Sequence, residues 1–166
     1  MLRDKNLIPL SHQHQHALAF CVRLDRALAQ SDPDLCEWQN EMVSMWGSEI
    51  RFHFEAEEKV LFPAARKYAS LRPLVKQLLS EHRTLRGFFA RAKRRRLDAT
   101  ALKTFGETLS QHIRTEERQL FEECQRQMPA GEIAGAGAAM EEYFGQSGMP
   151  GASCALPPSS KQKKQK

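Results

Sequence analysis

Apolar residues recur at alternating steps of three and four from about residue 11 to about residue 128, the spacing of helices that bury one face. There is no sustained two-residue alternation and no Asn-Gly or Asp-Gly hairpin turn, so strands are not expected. Punctuation cuts the region into four segments. The first starts at Ser11, a good N-cap, and runs to about Gln30. Asp32 is expected to cap the second, with Pro33 at the first helical position, and Pro63 breaks it or forces a turn after about Phe62. The third begins near Ser70-Leu71, with Pro73 inside its first turn, and reaches about Arg95. Asp98 caps the fourth, which ends near Met128-Pro129. Four helices with short connections predict an all-α, up-down-up-down four-helix bundle. Gly131, Gly135 and Gly137 weaken helix between 130 and 144, so Met140, Tyr143 and Phe144 belong at most to a short fifth helix. From Gly145 onward the chain is rich in Gly, Pro, Ser and Lys, which sets a domain at 1–145 and a flexible Lys-rich tail at 146–166.

The buried stripe is cleanest in the third segment: Leu71, Val75, Leu78, His82, Leu85, Phe89, Ala92. The second reads Leu35, Trp38, Met42, Trp46, Ile50, His53, Glu57, Val60, and the fourth Leu102, Phe105, Leu109, His112, Glu116, Leu120. The first reads His14, Leu18, Cys21, Leu24, Leu28. Every predicted helix thus carries a histidine in its apolar stripe, and two add a glutamate four residues on, along the same face. An isolated carboxylate in such a seam costs several kcal/mol unless it is paired or bound to a metal. With a rise of about 1.5 Å per residue, His53, His82 and His112 fall at one depth in antiparallel neighbours, and His14 on the same half of the bundle. Three histidines compete in the first helix. His14 shares the face of Leu18 and Cys21 and is preferred, while His12 and His16 lie roughly opposite and stay open as alternatives.

The segment from His53 to Phe62 reads H-x3-E-E-x2-L-F, and the segment from His112 to Phe121 repeats it. Two helical hairpins with approximate two-fold symmetry would place one metal in each half. Four histidines and two bridging glutamates, Glu57 and Glu116, would give each ion two nitrogens and two oxygens. Imidazole suits iron, zinc, copper or nickel, and bridging carboxylates favour iron or manganese. Water, oxo or hydroxo bridges and an external ligand would complete the coordination, and dioxygen, peroxide or nitric oxide would bind at the open positions. Glu55 and Glu58, beside the first block, read as exposed surface, with Glu58 open as a partner behind the site or an extra ligand. Cys21, Cys124, Trp38 and Trp46 read as core, and Tyr68 is placed near the mouth of the site.

Composition narrows the function classes. With 166 residues, 41% hydrophobic and 27% charged, the chain can bury a core as one globular domain. The four cysteines form no CxxC pair, which argues against a zinc ribbon, a thioredoxin-type motif or a secreted disulfide framework, and suggests reduced thiols in a cytoplasmic protein. No apolar run approaches the roughly 18 residues of a membrane span, and no secretory signal opens the chain. The formal charge is +5, but four of the 25 basic residues lie in the last eight positions. The remainder is nearly neutral, and no aromatic platform accompanies the basic close of the third helix at Arg91, Lys93, Arg94, Arg95 and Arg96, so nucleic acid is not an expected partner.

These residues resemble the hemerythrin-like family of HHE cation-binding domains. The resemblance rests on His14 within Leu10-Ser11-His12-Gln13-His14-Gln15-His16-Ala17-Leu18, the His53/Glu57 block ending Leu61-Phe62-Pro63, Glu81-His82-Arg83-Thr84-Leu85, and the His112/Glu116 block, over about residues 9 to 125. It implies a four-helix bundle holding a non-haem diiron centre near one end, with manganese or zinc as alternative metals. Oxygen-carrying members have a further histidine four after the one on the third helix; here that position is Arg86. They also carry HxxxxD on the fourth helix, where this chain has HxxxE. The four-histidine, two-glutamate set is more similar to bacterial iron-centre-repair proteins and iron-sensing members, although the N-terminal cysteine-bearing segment of the repair proteins is lacking. The expected function is binding or handling of dioxygen, peroxide or nitric oxide, in sensing or in the iron and redox stress response, with a redox protein as a further partner. The alternatives are iron-centre repair or iron donation, and a metal-free structural bundle.

Overall fold

The computed structural model describes residues 2–146, and all regular structure among them is helical. Most of the expected tail, 147–166, lies outside the described residues.

Helix α1 spans Ile8–Leu28 and begins a turn earlier than Ser11. Pro9 sits in its first turn, where a missing N–H costs nothing, and the fully buried Leu7 and Leu10 anchor the start. Asp34, not Asp32, caps α2: its carboxylate accepts from the Cys36 and Glu37 amides, both at 3.0 Å, and Pro33 precedes the cap.

Helix α2 (35–65) is assembled from Leu35–Met45, Trp46–Ile50, Arg51–Ala56, Glu57–Leu61 and Phe62–Ala65, run together without a break. The second and fourth pieces are π-turns; the Arg51 amide reaches back to the Trp46 carbonyl and the Phe62 amide to that of Glu57. Pro63 therefore does not end the helix. The π-turn changes hydrogen-bond register just before it, and Pro63 falls at the start of the resumed α-turn, where its missing donor is tolerated.

A 3₁₀ turn at Ala69–Leu71 leads into α3, Arg72–Lys93. Asp98 caps α4 (99–127) by accepting from the Ala101 amide at 2.7 Å. Helix α4 contains Ala99–Thr115, a π-turn at Glu116–Leu120 and Phe121–Gln127. Both π-turns that follow a histidine thus begin on a seam glutamate, Glu57 and Glu116.

The wider turn moves the seam by one residue in α2. After Glu57 the buried position is Leu61, and Val60 is only partly covered. Every seam position expected for α3 and α4 is buried. In α1, Ala17 and Phe20 are buried more fully than Leu18.

Helix α5, Ala130–Gln146, is a full helix rather than a short one. Burial of Ile133, Met140 and Phe144 offsets the weak propensity of its glycines. Gly137 is where α5 meets the chain before α1: a Cβ there would lie 2.6 Å from Asn6 Cβ. No helix is long and apolar enough to cross a membrane among the described residues.

The core has two apolar layers. One contains Leu10, Ala56, Leu61, Leu78 and Leu120 together with Ile133, Met140 and Phe144 from α5. The other contains Ala17, Ile50, Phe54, Leu85 and Leu109, with Trp38 and Trp46 packed on it. The seam histidines fall between the two layers in chain order on every long helix: His14 between Leu10 and Ala17, His53 between Ile50 and Ala56, His82 between Leu78 and Leu85, His112 between Leu109 and Leu120. A polar belt is therefore closed above and below by hydrocarbon.

Candidate metal centre

Four helices each push one imidazole into that belt. His14, His53, His82 and His112 are at most 2% exposed, and Glu57 and Glu116 are fully buried. Helical spacing aligns each glutamate with the histidine one turn before it, and the π-turn that begins there re-aims the chain beyond it. The six side chains the sequence singles out are thereby brought together. They form two quartets that could each hold a metal ion: His14, His53, Glu57 and Glu116; and Glu57, His82, His112 and Glu116. Both glutamates belong to both quartets, and the candidate ligand atoms within each lie within 4.8 Å of one another. His12 and His16 point away and are exposed, His16 meeting Glu49 at the surface.

The ring orientations are fixed from behind. The Nδ1–H of His14 donates to Glu117 at 2.7 Å, that of His82 to Glu58 at 2.8 Å, and that of His112 to Glu81 at 2.8 Å. The Nδ1–H of His53 donates to the amide oxygen of Gln13 at 2.6 Å. An acceptor behind Nδ1 selects the tautomer whose Nε2 carries a lone pair, the arrangement typical of metal-binding histidines. The Nε2 atoms then converge in pairs: His14 and His53 at 3.0 Å, His82 and His112 at 3.1 Å. Two adjacent ligands about 2.1 Å from one ion at right angles would be separated by about 3 Å.

The carboxylates complete the convergence. Glu57 turns Oε1 to His53 at 3.3 Å and Oε2 to His82 at 3.4 Å. Glu116 Oε2 lies 3.2 Å from His14 Nε2 and 3.3 Å from His112 Nε2. Each glutamate thus faces one histidine of each half. None of their four oxygens receives a hydrogen bond among the described residues. Buried carboxylate oxygens without donors, aimed at imidazole lone pairs, are a donor set that suits cations.

Without a cation, protons take its place. Burial alone would keep His82 neutral, but Glu57 and Glu58 outweigh it and lift His82 to about 9. Burial, reinforced by the Glu57 charge, pushes Glu116 up to about 7. Burial acts on Glu57 in the same sense, yet the His53 and His82 rings outweigh it and hold Glu57 well below the ordinary carboxylate range.

Aromatic rings line the belt. Phe121 stacks on His14 at 5.6 Å between centroids, and Phe62, its counterpart in the repeat, packs on His82 at 5.4 Å. Phe54 stacks on His82 more closely, at 3.8 Å.

Of the four residues that back the rings, only Glu58 was open to such a role in the sequence, and there the surface was preferred. Glu58, expected on the surface, is half-buried against His82 and Arg86, which overcome its desolvation and hold it at about 2. Glu117, Glu81 and Gln13 do the same work for the other rings. The signal was in the repeat: Glu58 and Glu117 are the second glutamates of the two E-E pairs, and Gln13 and Glu81 directly precede seam histidines. Tyr68, placed near the mouth by the sequence, packs on the apolar layer beside α5 and faces Glu132 rather than any of the six convergent side chains. Cys21 and Cys124 are buried free thiols, as expected of core residues, and Cys36 is exposed.

No curated protein and no solved structure matches the chain. A family model for the hemerythrin HHE cation-binding domain matches residues 9–124, which takes in all six convergent side chains and nearly the whole of α1 to α4. On that match, and with a buried cage of imidazoles and carboxylates suited to cations, the chain belongs to the hemerythrin family of HHE cation-binding domains.

Proposed function

We propose that the chain holds two non-haem iron ions, one between His14 and His53 and one between His82 and His112, with Glu57 and Glu116 shared between them. The observation that carries this reading is the set of four buried carboxylate oxygens without a donor among the described residues, facing four imidazoles that are held with Nε2 inward. The hydrogen-bonded tautomers, the apolar layers above and below, and two carboxylates placed between the quartets all support it. In this reading α1 to α4 form an up-down-up-down bundle and α5 covers one end.

A pair of irons with open coordination positions supplies a place for dioxygen, peroxide or nitric oxide and electrons to exchange with it. The chain's own part is to fix the ligands, to exclude bulk water through the Phe54, Phe62 and Phe121 rings, and to balance charge. Arg86 occupies the position four after His82, where it is committed to Glu58 at 2.7 and 3.1 Å. That supports a six-residue protein ligand set rather than a seven-residue one, and with it ligand sensing or a stress response rather than oxygen storage.

The test is iron content per chain on untagged protein, with near-ultraviolet and visible spectra before and after dithionite and nitric oxide. Two irons per chain and bands that bleach on reduction are expected. No metal after anaerobic ferrous loading would overturn the proposal and leave a bundle whose seam groups pair with one another.

A further inference from the structure

The approximate two-fold repeat breaks at one hydrogen bond behind the cage. In the repeat, α1 corresponds to α3 and the first half of the sequence motif to the second, so His14 matches His82 and His53 matches His112. Behind His14 and His82 the halves agree. Each ring donates to the second glutamate of an E-E pair, and each of those glutamates is held by an arginine: Glu117 by Arg3 at 2.6 Å, Glu58 by Arg86 at 2.7 Å. Behind His53 and His112 they differ. His112 is backed by the carboxylate of Glu81, and His53 by the neutral amide oxygen of Gln13. Glu81 accepts a further hydrogen bond from Gln77 at 2.8 Å, and no lysine or arginine is in ion-pair distance of it among the described residues.

We infer that the two metal positions are unequal, and that Glu81 makes the His82/His112 position the one that fills first and holds its ion more tightly. This rests on the ligand set proposed above. A carboxylate behind an imidazole makes a charge-assisted hydrogen bond and raises the basicity of the ligating nitrogen; an amide oxygen does this less. The arginines cancel one negative charge on each side, so one uncompensated carboxylate remains, and it lies on the His82/His112 side. Glu81 and Gln13 are positioning residues: they act through His112 and His53.

The experiment is an anaerobic calorimetric titration of the metal-free full chain with ferrous iron alone. It is coupled to anomalous scattering from crystals holding one equivalent of iron. The wild type should bind in two steps separated by more than the statistics of equal sites, with the first iron at His82/His112. Glu81→Gln should weaken the first step by roughly 10–100-fold, the range for losing such an outer partner. Gln13→Glu should tighten the second step and draw the two together. A gain of affinity on adding a carboxylate is not expected of a packing role, and this variant removes no buried contact, so it carries the test even if Glu81→Gln folds poorly. Two equal steps, or a first iron at His14/His53 with neither variant shifting the constants, would overturn the inference while leaving the six-residue site intact. Absence of any iron binding would instead remove the site and the inference together.

Discussion

Replacing Glu116 by Gln should move stability in opposite directions with and without metal. Glu116 is fully buried, neither oxygen receives a hydrogen bond among the described residues, and the like charge that acts on it is that of Glu57. Burial and Glu57 raise it from 4.5 to about 7 in the metal-free cage. The folded-state value is above the unfolded one, so its contribution is intact below about pH 4.5 and is lost as pH rises through about 7. Above that range the full penalty for carrying the charge applies, on the order of 3 kcal/mol at 1.36 kcal/mol per unit. Glutamine keeps the shape, cannot ionise, and offers an N–H to the ε-nitrogens of His14 or His112. At pH 8 the metal-free Glu116→Gln protein should therefore be more stable than wild type by about 2–3 kcal/mol, and the difference should vanish toward pH 4.5. With saturating ferrous iron the order should reverse. An ion present at about 1,000 times its dissociation constant stabilises the fold by about 4 kcal/mol, and a variant that lacks a shared ligand forfeits much of that. Urea unfolding of chelator-treated and iron-loaded samples, followed by circular dichroism, measures both differences. A Glu116→Gln protein that is less stable than wild type in both states would refute the reasoning, because the carboxylate would then be satisfied without a cation.

Other outcomes follow from the same structure. His112→Ala should lose at least one ion per chain by elemental analysis, and retention of two tightly bound ions would remove His112 from the ligand set. Gly137→Ala should cost about 1–3 kcal/mol, because its new Cβ would meet Asn6 Cβ at 2.6 Å, an atom fixed close to the backbone. Gly135→Ala, with nothing within 4 Å, should instead raise the melting temperature slightly, which thermal unfolding of the pair would show. At pH 8, maleimide labelling and peptide mapping should find Cys36 modified and Cys21 and Cys124 protected, since burial raises both thiols and pushes Cys124 to about 12. Removing 147–166 should leave metal content unchanged; loss of metal on truncation would make the tail part of the fold.

Local signals in the sequence carried the helices and the composition of the cage. Periodicity places the α3 stripe residue for residue, from Leu71 to Ala92, because an amphipathic helix with one buried face has little freedom in what it hides. The repeated H-x3-E-E-x2-L-F block selects His53, Glu57, His112 and Glu116, since residues four apart share a helical face. Caps were less legible: Asp32 and Asp34 are equivalent as residue types, and what chooses Asp34 is that its carboxylate reaches the Cys36 and Glu37 amides.

The tertiary structure decided what no spacing rule contains. The π-turn at Glu57 carries α2 past Pro63 and exchanges Val60 for Leu61 in the core. Helix α5 forms because its apolar face packs into the layer that holds Leu61, Phe62 and Phe121, although Gly131, Gly135 and Gly137 argue against it locally. The partners behind the imidazoles were the least accessible of all. Glu58 reaches from α2 to His82 on α3, Glu117 from α4 to His14 on α1, and Gln13 and Glu81 reach across to α2 and α4. A sequence fixes which face of its own helix a side chain occupies, through the 3.6-residue repeat. Which neighbour that side chain meets depends on how the helices pack, and packing is settled only when the whole core closes.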